Sequence, residues 1–184
     1  MRVVSVNIGQ HRQVETPRGI VLTSIFKSPV EGRIPVRGHS LVGDTQSDLT
    51  VHGGPNKAVY GYPFEHYAYW TSQLNREITF DNFGENLTTE GLLESDIHVG
   101  DQYRIGTALL QVTKPRQPCY KLALRFELPT MVKLFWNSGF SGFYFSVVEE
   151  GDIAAGDPIE LVKRNASGKT IAQVTQADRE KAHS

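Results

Sequence analysis

Cys119 is the single cysteine of the chain, and its neighbours could make it reactive. The segment 114–121, KPRQPCYK, holds two backbone-fixing prolines between a predicted strand and a predicted helix. A helix N-terminus stabilises a thiolate, and Arg116 and Lys121 add positive charge nearby. Such a thiolate acts as a nucleophile, a persulfide carrier or a ligand for a soft metal. The alternative is an inert buried cysteine, because free cysteine is among the most buried residue types.

A second segment with chemical potential is 51–60, VHGGPNKAVY. Gly53 and Gly54 let the backbone approach a ligand and aim consecutive N–H groups at an anion. His52 and Lys57 supply hydrogen bonds or charge, so the segment is suited to a phosphate or a pterin-type cofactor. A glycine turn followed by a solvated lysine explains the same residues and is the preferred interpretation of this segment taken alone.

Two further loops place short polar side chains beside glycine, at Gly43-Asp44 and at 83–87, FGENL, which includes Asn86. Both patterns are also explained by turn chemistry, in which Asn and Asp bond their own backbone. The aromatic residues between Tyr60 and Trp70 predict core or helix-face packing in preference to a stacking wall for a ligand.

Composition excludes several classes of function. The 184 residues carry 19 Lys and Arg against 20 Asp and Glu, for a net charge of −1, which argues against binding to a nucleic-acid backbone. A hydrophobic fraction of 39% predicts a folded core in one ordinary domain. One cysteine forms neither an internal disulfide nor a multi-thiolate zinc site.

The absence of several known motifs excludes further classes of enzyme. The sequence has no helical zinc-ligand pair, dinucleotide fingerprint or serine nucleophile elbow. Without a secretory signal or an apolar stretch long enough to cross a bilayer, we expect a cytoplasmic protein with no membrane association.

Elements that must position these residues are mostly short strands. Alternating apolar residues and frequent Gly and Pro predict a mainly β fold, a compact β-barrel or sandwich. The predicted strands are 4–8, 19–27, 33–42, 97–105, 108–113, 142–149 and 159–163. Gly106-Thr107 predicts a hairpin turn, and the last two strands are predicted to form another pair.

Three helices are predicted within this pattern, at 63–74, 120–126 and 129–136. The composition turns polar from residue 165 onward. We therefore predict a domain of residues 1–164, followed by a polar tail or a docked helix at 165–184.

In order along the chain, these segments resemble the MOSC domain, the module shared by the C-terminal regions of molybdenum cofactor sulfurases, and more closely its stand-alone bacterial YiiM-type members. The resemblance covers residues 1–164. The matching residues are Gly43-Asp44 with Gln46 and Asp48, His52-Gly53-Gly54-Pro55 with Lys57-Ala58-Val59, Tyr62-Pro63 with Glu65-His66-Tyr67 and Trp70, Phe83-Gly84-Glu85-Asn86-Leu87-Thr88 with Gly91-Leu92, Gly100-Asp101 with Gly106, and Pro115-Arg116 with Pro118-Cys119-Tyr120-Lys121.

The resemblance implies a strongly bent β-barrel of MOSC type with a few helices. It also implies that Cys119 is the functional cysteine, binding the metal of the molybdenum cofactor (molybdopterin) or carrying sulfur for it. By the same match His52, Lys57, Asn86 and Arg116 are expected in the pocket. YiiM-type members continue into a small three-helix domain, so residues 165–184 are expected to be the start of a shortened extension. The pyridoxal-phosphate domain of full sulfurases is not expected within these 184 residues.

The first functional hypothesis is a molybdenum-dependent oxidoreductase that detoxifies N-hydroxylated base analogues such as 6-hydroxylaminopurine. In it Cys119, Arg116 and His52 act at the reacting centre, and the cofactor is held by Gly53, Gly54, Lys57, Asn86 and Lys121. Electrons come from a partner protein, and a homodimer is left open. The alternatives are a persulfide carrier or cofactor-binding module without redox turnover, and a small-molecule binding barrel with an inert cysteine.

Overall fold

The computed structural model describes residues 1–17, 19–45 and 53–182, which form a mainly β protein with four α-helices. The strands are β1 Arg2–Ile8, β2 Arg12–Thr16, β3 Gly19–Thr23, β4 Ser28–Pro29, β5 Ile34–Arg37, β6 Ser40–Leu41, β7 Val59–Pro63, β8 Leu87–Glu90, β9 Gln102–Ile105, β10 Ala108–Pro115, β11 Phe143–Glu149, β12 Gly151–Ile153 and β13 Ile159–Lys163. The helices are α1 His66–Leu74, α2 Tyr120–Phe126, α3 Met131–Ser138 and α4 Ile171–Ala182, with a 3₁₀ turn at Pro55–Lys57.

Eight strands form one mixed sheet in the order β13-β9-β10-β11-β7-β8-β1-β4, in which β7 and β8 are parallel. The mainly β prediction is confirmed, but within the described residues the sheet does not close into the predicted barrel. Its two sides meet at an isolated bridge between Arg2 and Pro158, flanked by bonds from Val3 N to Asp157 O and from Ile159 N to Met1 O. The far half of β1 pairs with β4 instead, so the ladder from β1 to β13 is not continuous.

The strand predictions succeed at one hairpin and fail at one strand pair. Gly106 has φ +58°, and the hairpin turn predicted there joins β9 to β10, with Ala108 opposite Ile105. The predicted pairing of the last two strands is wrong, because β11 lies between β10 and β7 whereas β13 pairs with β9. The alternation of buried and exposed side chains along β1 is interrupted by a register shift between Val3 and Ser5. Ser5 is buried as a result.

All three predicted helices are present, with one of them exact and two shortened or shifted at their ends. Each ends in a left-handed residue: Asn75 after α1, Glu127 after α2 and Gly139 after α3. The helices cover a second core made largely of aromatic rings, separate from the aliphatic core along the sheet. Tyr62 stacks on Phe83 in this core with 4.3 Å between ring centroids, and Trp70 donates to the Tyr62 hydroxyl at 2.6 Å.

Residues 171–182 form a docked helix, α4, the second of the two predicted options for this segment. Ile171 and Thr175 are buried, and Ile171 N donates to Ile97 O at 3.0 Å. Thr170 and Gln173 cap the helix reciprocally: Thr170 N donates to Gln173 Oε1 at 2.9 Å, and Gln173 N donates to Thr170 Oγ1 at 3.1 Å. The predicted division of the chain at residues 164 and 165 stays a prediction. None of the helices in the described residues is long and apolar enough to cross a membrane.

The cap predicts that Thr170→Ala weakens α4. Losing the side-chain acceptor at a helix start costs about 1 kcal/mol, and we expect that reduction in the free energy of unfolding measured in urea. Thr71→Ala, at an exposed position inside α1, is the matched control and should not destabilise the protein. Equal effects of the two changes would contradict a capping role for Thr170.

Candidate functional site

A cleft of about 100 Å³ opens between β7, β11, the start of α2 and several loops. These loops follow β3, β6 and β10 or precede β8. It brings together five of the candidate site residues, which come from three separate segments of the chain. These residues are Lys57, Asn86, Arg116, Cys119 and Lys121.

Cys119 lies at the N-cap of α2, where the sequence predicts it. Its backbone is extended, with φ −125° and ψ 171°, and its carbonyl accepts the first bond of the helix from Leu122 N at 2.9 Å. The residue is half-buried and lines the cleft. The thiol is therefore accessible from a cavity and is not sealed in the apolar core.

Buried cations are the dominant feature of the cleft. Lys27, Arg116 and Lys121 are 8, 7 and 9% exposed and line it together with the half-buried Lys57. Asp44 is the one acidic side chain among the described lining residues. Because a buried charge is costly unless it is compensated, this excess of positive charge favours an anionic ligand.

Arg116 is held by carbonyl and ring contacts. Its Nη1 donates to Phe83 O, and its guanidinium lies 4.7 Å from the centroid of the Tyr60 ring and 5.7 Å from that of Phe135. Burial alone would lower the pKa of Arg116, but the Tyr60 and Tyr144 hydroxyls and the Cys119 thiol raise it, and the net shift is upward. The group therefore stays positively charged beside Cys119.

Lys27 is paired with Asp44 in the wall of the cleft. Its Nζ lies 2.5 Å from Asp44 Oδ1, and both side chains are nearly removed from solvent. Burial lowers the pKa of Lys27, whereas Asp44 and, more weakly, Glu85 raise it. Asp44 thus stabilises a lysine that would otherwise be an isolated buried charge.

Asn86 connects the cleft to the sheet. Its Oδ1 accepts from Tyr60 N at 3.1 Å, while its Nδ2 donates to Asp44 Oδ2 at 2.8 Å and to Asn7 O at 3.3 Å. Both amide hydrogens are therefore engaged within the protein. The geometry assigns Asn86 the role of positioning Asp44, although it also lines the cleft.

Glu85 orders the loop that holds Arg116. Its carboxylate accepts from Phe83 N at 3.1 Å, from Asp81 N at 3.0 Å and from the Tyr67 hydroxyl. The side chain is fully buried, and burial raises its pKa despite these bonds. By fixing residues 81–85, Glu85 places the Phe83 carbonyl that receives Arg116.

The glycine segment contributes differently. Gly54 has φ +91° and precedes the 3₁₀ turn that carries Lys57 to the cleft. Neither Gly53 nor Gly54 is among the residues that line the cleft. His52, with Gln46 and Asp48 of the family resemblance, lies outside the described residues.

Among the charged and aromatic residues that line the cleft, sequence reasoning missed Lys27, Asp44, Tyr60 and Tyr144 as parts of a site. Asp44 belongs to the residues that resemble the MOSC domain, but beside Gly43 its residue type is also explained by turn chemistry. Lys27 ends a predicted strand and resembles a solvated terminal lysine, so only the fold reveals its burial. Tyr60 and Tyr144 were indistinguishable from core aromatics, which they also are, because both pack with the aromatic cluster.

The Lys27 and Asp44 pair makes a prediction about stability. Asp44→Asn leaves a buried lysine without its counter-charge, and breaking a buried pair in this way costs about 3 kcal/mol. We expect that loss in the free energy of unfolding in urea at pH 7. The double variant Lys27→Met/Asp44→Asn should cost less than the two single changes added together.

The exposed Arg2 and Glu90 pair supplies the control, since Glu90→Gln should leave stability unchanged. If Asp44→Asn is as harmless as that surface change, the buried pair does not stabilise the cleft.

Comparison with known proteins places this geometry in a family. Residues 48–160 match the family model of the MOSC domain. The chain is 41% identical to the protein YflK of Bacillus subtilis over 169 residues, 92% of this chain and 76% of YflK. It is also 41% identical to the protein YiiM of Escherichia coli over 145 residues, 77% of this chain and 65% of YiiM.

Two further likenesses extend the comparison. A protein of Gibberella moniliformis named as a reductase is 32% identical over 150 residues, which are 79% of this chain and 27% of that protein. The crystal structure of YiiM from Geobacillus stearothermophilus superposes with a TM-score of 0.81 at 37% identity, covering 100% of this chain and 86% of that one. The chain therefore belongs to the MOSC domain family.

Proposed function

We propose that this protein is a molybdenum-cofactor-dependent reductase of N-hydroxylated compounds, with Cys119 as the protein ligand of the metal. The observation that carries the proposal is the meeting of the single thiol with three buried cations in one cleft. Soft metals prefer thiolate ligands, and phosphate groups prefer Lys and Arg. An anionic cofactor with a soft metal at one end satisfies both halves of this arrangement.

The donor set fits one end of such a cofactor. About 100 Å³ is roughly the share of three water molecules in the liquid and is smaller than a usual cofactor site. The cleft would therefore accommodate only the charged, metal-bearing part of the cofactor. Cys119 would bind the metal, while Lys57, Lys121 and Arg116 would hold anionic oxygens, with the Gly53-Gly54 backbone as a further candidate contact.

The relatives support the coarse class of activity. MOSC domains are associated in general with molybdenum cofactor binding, and one relative carries the name reductase. The chain covers 65% of the E. coli YiiM sequence and 27% of that reductase. The substrate, the electron donor and the oligomeric state therefore belong to the proposal.

Reduction of an N-hydroxylated base consumes two electrons and two protons, breaks the N–O bond and yields an amine and water. When bound in the cleft, the cofactor would supply the two-electron chemistry, and a partner electron-transfer protein would donate the electrons. Lys27 Nζ donates to Asp44 Oδ1 in the wall of the cleft, and burial lowers the pKa of this lysine. Burial raises the pKa of Tyr60 and Tyr144, so their hydroxyls stay protonated and can donate hydrogen bonds.

The decisive experiment is metal and pterin analysis of the protein purified from a host that makes the molybdenum cofactor. We expect molybdenum and pterin in the wild type, with reduction of 6-hydroxylaminopurine when a suitable electron donor is supplied. Cys119→Ser should lower both molybdenum content and reductase activity to background while its urea unfolding midpoint matches the wild type.

Tyr120→Phe is the matched control, because this adjacent side chain is 56% exposed and is not among the residues that line the cleft. Wild-type protein without molybdenum or pterin would reject the proposal. Molybdenum without turnover, together with sulfane sulfur on Cys119, would favour the alternative of a persulfide carrier.

The cations predict how tightly the cofactor is held. Lys121→Gln and Lys57→Gln each remove one charged hydrogen-bond donor from the cleft, a loss that corresponds to roughly tenfold in affinity. We expect about tenfold faster loss of pterin during dialysis, followed by pterin fluorescence. Lys133→Gln, on the exposed side of α3, is the control. Equal retention of pterin in all three variants would show that Lys57 and Lys121 do not bind the cofactor.

A further inference from the structure

Cys119 lies between two cavities and not at the end of one. Besides the cationic cleft, a second cavity of about 290 Å³ lies on the other side of the 115–119 loop. The two cavities share four lining residues: Lys57, Gln117, Cys119 and Tyr144. Cys119 therefore borders both cavities, and the second, at about 290 Å³ against about 100 Å³, is the roomier of the two.

Helix α4 forms one wall of this second cavity, which we call the α4 chamber. Val174 and Asp178, one turn apart and half-buried, line it opposite Cys119 and its loop. Gln117 Nε2 donates to Asp178 Oδ2 at 3.3 Å and joins the loop to the helix. Because α4 is capped at Thr170 and anchored by Ile171, this wall is a fixed part of the fold.

The two cavities differ in chemistry. Four cations against one carboxylate line the cleft, whereas the α4 chamber sets Lys57 and Lys114 against Asp178. Prolines, Val174 and the Tyr144 ring supply apolar surface in the chamber, and Gln117 supplies an amide. A small, flat, uncharged molecule with N–H or O–H donors fits these walls, with its donors toward Asp178 and its plane against Tyr144.

We propose that the α4 chamber is the approach by which substrate reaches Cys119, and that Val174, Asp178 and Gln117 select what enters. The identity of the substrate as an N-hydroxylated base rests on the proposed function; the approach to the thiol does not. Asp178 is a specificity residue in this arrangement, separate from the cations that hold the cofactor.

Because Cys119 is the single cysteine, the rate of thiol modification measures the accessibility of its sulfur atom directly. The full chain, expressed in a host without the molybdenum cofactor, is treated with iodoacetamide, and alkylation is followed by mass spectrometry. Val174→Trp, which fills the α4 chamber, should slow alkylation about tenfold. Val162→Trp, at a 55% exposed position on β13, should leave the rate unchanged.

Val174→Ala guards against misfolding of the larger variant and should alkylate at least as fast as the wild type. An unchanged alkylation rate in a folded Val174→Trp protein would overturn the proposal.

A second, independent experiment uses thiol reagents of different charge. The rate at which Cys119 reacts with a cationic methanethiosulfonate, divided by its rate with the neutral methyl analogue, depends on every charge along the path, and Asp178 raises this ratio if it lies there. Asp178→Asn should reduce that ratio about threefold or more, whereas Asp152→Asn, on β12, should not. Equal ratios in the two variants would place Asp178 off the path and contradict the proposal.

Holoenzyme measurements separate this inference from the proposed function. In molybdenum-loaded protein, Asp178→Asn should raise KM for 6-hydroxylaminopurine severalfold with little change in kcat and none in molybdenum or pterin content. Loss of pterin from Asp178→Asn or Val174→Trp would show that the chamber holds the cofactor and would overturn the inference. Labelling as expected in a protein without reductase activity would reject the proposed function while the approach stands.

Discussion

Positive charge removed from water is the constraint on which the structure of the site depends. Lys27, Arg116 and Lys121 lose most of their hydration on folding, and each needs a substitute for it. Lys27 has a carboxylate, Asp44, and Arg116 has the Phe83 carbonyl and the faces of two rings. Together with Lys57 and Lys121, these groups give the cleft beside Cys119 an excess of positive charge, which favours an anionic ligand there.

The sheet and the aromatic core serve to hold these charges in place. Asn86, immediately before β8, ties Tyr60 on β7 and Asn7 on β1 to Asp44, so that three distant segments meet at one amide. Glu85 does the same for the loop above the aromatic core and thereby sets the carbonyl that receives Arg116. The hydrogen bonds of Asn86 and Glu85 thus determine where Asp44 and Arg116 lie in the cleft.

Sequence patterns predicted the elements better than their arrangement. The proline-bracketed segment before α2 placed Cys119 at a helix start, and the Gly106 turn fixed one hairpin, because both signals are local in the chain. Whether β11 pairs with β10 or with β13, and whether the sheet closes, depends on contacts between distant strands, which local alternation does not encode. The predicted barrel and the predicted last pair failed for that reason.

The same distinction applies to the site. Arg116, Lys121 and Cys119 are neighbours in sequence, so their proximity could be predicted, whereas Lys27 enters the cleft from a segment more than 80 residues earlier. Its burial becomes visible only when Asp44 and Asn86 are seen beside it. Asn86 was expected at the pocket, but its bonding shows a positioning role that the residue type alone does not reveal.

Anomalous diffraction at the molybdenum edge, from crystals of protein purified from a cofactor-competent host, would show whether Cys119 binds the metal. We expect one strong molybdenum peak at metal–thiolate bonding distance from Cys119 Sγ, with pterin density beside Lys57, Arg116 or Lys121. A molybdenum peak remote from Cys119, or crystals of a metal-loaded sample in which this cleft carries no peak, would contradict this expectation.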